Sequence, residues 1–117
     1  MSNQDFEQKI SPFFWVEHED SVSVCLSDVD TYKNEIFATR ANEGFEGNGY
    51  DWGSLADVFL QEKHPEWNGV VKFDPEGSMF TAYSSDKDVL KAFTLAFKGA
   101  CEDNKLILDL FSRAELD

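Results

Sequence analysis

Cysteine, histidine, proline and basic residues are all scarce in this chain, with 2 Cys, 2 His, 3 Pro and 10 Lys plus Arg against 23 Asp plus Glu. Each shortage removes a class of function. Cys25 and Cys101 lie far apart and outside any paired motif, which excludes a disulfide framework and fits reduced core thiols. His18 and His64 belong to no metal or nucleophile pattern; His64, just before Pro65, is expected at a helix end, where an imidazole meets the terminal carbonyls. The shortage of bases leaves a net charge of -13, which repels phosphate backbones and anionic headgroups and so argues against direct nucleic-acid or membrane-surface binding. No apolar run approaches the roughly 20 residues that span a bilayer, and the opening Met-Ser-Asn-Gln-Asp-Phe lacks the basic and apolar regions of a secretory signal. The expected compartment is the cytoplasm.

What is abundant is aromatic: 11 Phe, 3 Trp and 3 Tyr in 117 residues. That much ring surface supports one core, read here as a single domain over 1–117 that needs neither disulfide nor metal. The acid is unevenly spread. Residues 1–62 carry 13 acids and 3 bases, and residues 63–117 carry 10 acids and 7 bases. Such an imbalance marks either a surface for a basic partner or a solvated face that keeps the protein soluble.

After a polar N-terminal tail, Phe13 to His18 and Ser21 to Ser27 read as a β-hairpin, with Val22, Val24 and Leu26 alternating with Ser21, Ser23, Cys25 and Ser27. Asp28 and Asp30 to Thr31 offer starts for a short helix bearing Tyr32, Ile36 and Phe37. The glycine-rich stretch Ala41 to Gly49 reads as a loop. Asp51 is expected to cap a helix with Trp52, Leu55, Ala56, Phe59 and Leu60 on one stripe, ended by His64-Pro65. A second hairpin joins Val70 to Phe73 and Met79 to Tyr83 through Asp74-Pro75-Glu76-Gly77-Ser78. Ser85-Asp86-Lys87-Asp88 resembles a capping box before the stripe Val89, Leu90, Phe93, Ala96, Phe97 and Ala100, and Leu106, Ile107, Leu110, Phe111 and Ala114 form the last stripe. The order is ββ, αα, ββ, αα: an α+β fold with an antiparallel sheet of about four strands and helices packed on one face. Val22, Val24, Leu26, Phe59, Phe73, Phe80, Phe93, Phe97 and Leu110 are the predicted core.

Chemistry-bearing constellations fail on inspection. Asp28-x-Asp30 lacks the glycine and final glutamate of a calcium loop, and helix capping accounts for both acids. Gly44, Gly47 and Gly49 follow no strand, precede no Lys-Ser/Thr and stand beside Glu43 and Glu46, so they make no phosphate cradle. Asp74 and Glu76 could pair as acid and base, yet two carboxylates in a turn without another catalytic marker are ordinary turn chemistry. No enzyme activity, metal or cofactor is expected.

Two segments go beyond generic patterning: Gly47-Asn48-Gly49-Tyr50-Asp51-Trp52-Gly53-Ser54-Leu55-Ala56 and Phe73-Asp74-Pro75-Glu76-Gly77-Ser78-Met79-Phe80-Thr81-Ala82-Tyr83-Ser84. Together they resemble the immunity protein 51 family of bacterial polymorphic toxin systems, over about Phe14 to Leu108. The resemblance implies a small α+β protein that protects its own cell by binding and occluding a toxin domain, and it supplies no catalytic residue. The motifs themselves are read first as packing: Asp51 as a cap, Trp52 and Phe73 as core, Pro75 to Gly77 as a turn.

Partner contacts are therefore expected in the acidic loop, at Glu43, Glu46 and an exposed Phe45, with Tyr50, Asp51, Asp74 and Glu76 as further candidates. The expected partner is a basic toxin domain steered by carboxylates and held by aromatics. An acidic regulatory or ligand-binding module unrelated to toxins is the alternative, and a nucleic-acid mimic is a variant of the toxin-binding role.

Overall fold

The computed structural model describes residues 3–27, 29 and 31–115. In chain order the elements are α1 (Asn3–Ile10), β1 (Phe14–Glu17), β2 (Val22–Leu26), α2 (Asn34–Ala38), α3 (Gly49–Lys63), β3 (Lys72–Phe73), β4 (Phe80–Ser84), α4 (Lys87–Glu102) and α5 (Asn104–Phe111). Single 3-10 turns lie at Ala41–Glu43 and Pro65–Trp67. The strands form one antiparallel sheet in the order β1-β2-β4-β3, the α+β architecture that the periodicities predict.

The sheet is organised by its centre, where Val22 to Leu26 pair with Ser84 to Phe80. Period-2 alternation sends Val22, Val24 and Leu26 to the same face as Phe80 and Ala82, and all five are buried. Helix α4 covers that face: the Phe97 ring lies 6.3 Å from Phe80, and Phe93 lies 5.8 Å from Phe73. The Asp86 side chain accepts the Val89 N–H at 3.1 Å and starts α4, while Asp103 accepts the Leu106 N–H at 3.2 Å and starts α5. Every residue of the predicted core is buried except Phe73, which packs half-buried against the cluster.

Four local expectations are corrected. The N-terminal stretch is helical, not a polar tail, because Phe6 and Ile10 sit one turn apart and both bury, Phe6 edge-on to Trp15 at 5.1 Å. Asp28 and Asp30, expected to start a helix, lie outside the described residues; α2 begins later, at Asn34, behind Lys33 with φ 55°. Tyr32 is left off that helix and lies flat against Trp52, 5.8 Å between ring centres. The His64 ring stacks on Trp67 at 4.1 Å and meets the Glu66 carboxylate at 3.0 Å instead of capping carbonyls. Finally, Cys101 is a core thiol but Cys25 belongs to the other sheet face, buried among its strand neighbours outside the main cluster.

Phe93 is fully buried between Phe59, Phe73 and Phe97. Phe93→Ala is expected to cost about 3 to 5 kcal/mol, read as a lower denaturation midpoint in urea; an unchanged midpoint would place the ring outside the core.

Candidate functional site

The two distinctive sequence segments meet in space. Helix α3 starts at Gly49 with its N-terminus driven into the β3–β4 turn, where the Gly49 N–H donates to the Gly77 carbonyl at 3.2 Å. A Cβ at Gly49 would overlap the carbonyl oxygens of Glu76 and Met79, so no other residue permits this approach. One turn on, Gly53 faces the Pro75 ring, where a Cβ would stand only 3.2 Å from Cγ. Trp52, fully buried, anchors the helix from its inner side and donates its indole N–H to the Val29 carbonyl at 3.2 Å.

Asp51 does not cap the helix by the expected route. Asn48 is the cap, its Oδ1 accepting the Asp51 N–H at 2.9 Å. Asp51 stands three residues inside and reaches back, one carboxylate oxygen accepting the N–H groups of Glu46 at 2.7 Å and Gly47 at 2.8 Å. This is the reciprocal logic of a capping box moved upstream. With Asp51 buried and Gly47 held at φ 84°, the approach to α3 is tied down. Asp51 is thus unavailable to a partner.

The acidic loop is likewise more structured than its composition implies. Ala41 to Glu43 form a 3-10 turn, and Phe45 is 3% exposed, edge-on to Phe111 at 4.9 Å. The expected exposed anchor is therefore a core ring. Arg40 explains why: its guanidinium covers Phe45 at 4.5 Å and Phe111 at 5.1 Å, and it donates to the carbonyls of Phe111 and Ala114 at the end of α5. Its remaining N–H groups grip Glu43 in a two-pronged pair, both contacts at 2.8 Å, which holds the Glu43 carboxyl below the usual range. Glu43 is solvent-exposed but already committed. Arg40 had no signal in the sequence beyond its position three residues before Glu43, a spacing that many unpaired residues share.

Ion pairs occupy Lys33, Arg40, Lys87, Lys98 and Arg113, with Glu102, Glu43, Glu17, Glu62 and Asp109 as their partners. Glu46, Asp74 and Glu76 stand outside these pairs and are exposed. Tyr50 is 45% exposed, its ring lying alongside Gly77. Glu46, Asn48, Gly77 and Ser78 border a surface cavity of about 440 Å³ beside this junction. The structure thus brings Tyr50, Glu46 and the Glu76 turn to one neighbourhood, with Asp74 at its strand end, and removes Phe45 and Asp51 from the accessible set. Among the described residues there is no group of three or more His, Cys, Asp or Glu side chains placed to hold a metal ion, and no helix is long and apolar enough to cross a membrane.

A family model described as Immunity protein 51 matches residues 13–116. The curated proteins and the solved structures give no match. The matched span includes the Gly49 to Gly53 helix start, the turn it docks on and Arg40, and it leaves out α1.

Replacing Arg40 by Ala strands two carbonyl acceptors and is expected to cost about 1 to 3 kcal/mol. Because Arg40 depresses the folded Glu43 carboxyl from its ordinary 4.5, the stability this pair contributes is present above that pH and lost as pH falls below it. Chemical denaturation from neutral to acid pH should therefore show the gap between parent and Arg40→Ala narrowing on acidification. A gap independent of pH would mean that the pair contributes nothing beyond packing.

Proposed function

Because the chain belongs to the immunity protein 51 family, we propose that it neutralises a bacterial toxin domain by binding it and covering its active or substrate-binding surface. The family match over residues 13–116 carries this role. The charge supports a basic partner: the protein is at -13, with the excess of acid in residues 1–62. Exposed carboxylates at Glu46, Asp74 and Glu76 then supply long-range attraction, while exposed Tyr50 supplies a ring with a polar tip suited to an interface.

These residues sit on a framework built by other side chains, to which Glu46 adds one contact by accepting the Asn48 side-chain amide N–H at 3.2 Å. Asn48, Gly49, Asp51 and Trp52 build the junction, and Tyr50, Glu46 and Glu76 project from it. A surface of this kind tolerates exchange of its outward residues to suit different toxins, because the contacts that define the fold lie beneath. Protection takes place wherever the toxin would act within the producing cell.

The test is co-expression with the toxin domain encoded in the neighbouring reading frame. Cells making both are expected to survive, and cells making the toxin alone to die. In purified components, the combined change Glu46→Gln, Asp74→Asn and Glu76→Gln should lower the association rate and flatten its dependence on salt, whereas Tyr50→Ala should mainly raise the dissociation rate. Equal kinetics for all variants would remove this surface from the interface, and death of the co-expressing cells would remove the immunity role.

A further inference from the structure

The sheet has a second face, which among the described residues carries no helix. Directly paired residues share a face, so the register places Val16, Ser23, Tyr83 and Lys72 in one cross-strand row. Phe14, Cys25 and Thr81 form the next, extended to Asp74 by its N–H bond to the Thr81 carbonyl at 2.9 Å. In both rows the β2 residue is small and its neighbours on β1 and β4 are mostly larger. The result is a trough of about 500 Å³ along β2, with Ser23 and Cys25 as its floor and Val16, Thr81 and Tyr83 among its walls. The floor residues are each only 7% exposed, whereas Phe14, on the same face, is 40% exposed. The walls are two strand spacings apart, roughly 9 to 10 Å, enough for one row of side chains from another protein.

Charge decides what occupies it. Asp74 lines the trough on the β3 side, inside a molecule at -13. A second copy would bring another -13 to the same place and be repelled; a nucleic acid would be repelled too. A basic protein is drawn in by the whole molecule and meets a groove walled by Val16, Thr81 and Tyr83, with exposed Phe14 beside it on the same face and the Asp74 carboxylate at its edge.

We propose that this trough receives an apolar segment of the basic toxin domain, with Phe14 and Tyr83 as the anchoring rings and Asp74 taking a Lys or Arg beside it. The inference rests on the toxin-binding role above and extends the contact surface from the β3–β4 turn across the open sheet, joined to it at Asp74.

The probe is the purified toxin domain from the neighbouring reading frame, made catalytically inert. Hydroxyl-radical footprinting of the unaltered protein needs no substitution. In the complex the oxidation rates of Phe14 and Tyr83 are expected to fall several-fold. The double variant Phe14→Ala, Tyr83→Ala should weaken binding by at least about tenfold, through faster dissociation. If the complex forms, both rings stay as reactive as in the free protein and the double variant binds like the parent, the trough is not the site, although the immunity role stands. If the unaltered protein forms no complex, the role and the trough fall together. Should the double variant fail to fold, the footprint on the parent decides alone.

Discussion

The approach of Gly49 to the β3–β4 turn is the constraint on which the surrounding surface depends. A backbone in contact with backbone has no slack: the Gly49 N–H meets the Gly77 carbonyl, and the space a methyl would need is taken by the carbonyls of Glu76 and Met79. That contact sets where α3 begins and where the turn sits. It is held from one side by Trp52, buried among aromatic rings, and from the other by Asp51, which ties the preceding backbone to the helix. The outward positions next to these fixed points, Tyr50 and Glu76, are then displayed on a rigid base, which lowers the ordering cost of binding through them.

Arg40 plays a comparable part at the other end of the loop. One guanidinium covers two rings, donates to two carbonyls at the end of α5 and binds a carboxylate, so its own loop and the end of α5 share a single cation. Its pairing with Glu43 removes one positive and one negative charge together, so the net charge a partner meets stays at -13.

How much of this was legible in the sequence follows from how local each signal is. The two hairpins, α4 and α5 announce themselves by periodicity and by Asp caps next to their stripes, so Val24, Phe80, Phe93 and Phe97 could be placed in one core. Helix α1 escaped because only Phe6 and Ile10 mark its buried side, too few to define a period. Phe45 was misjudged because glycines and acids around it read as solvent, whereas its burial depends on Phe111 and Arg40, one of them distant in sequence. Asp51 was correctly linked to the helix start, but its partners lie upstream at Glu46 and Gly47, where the pattern of a simple cap does not look. The trough was written in the same alternation that located the core: Ser23 and Cys25 occupy the off-core positions of β2, and their smallness acquires meaning only once β1 and β4 put Val16 and Tyr83 beside them.

Calorimetric titration of the purified protein with the inert toxin domain of the neighbouring reading frame tests the central claim most directly. A saturable one-to-one complex whose affinity declines as salt is raised is the predicted result. Absence of any complex at low salt, with both proteins folded, would contradict it.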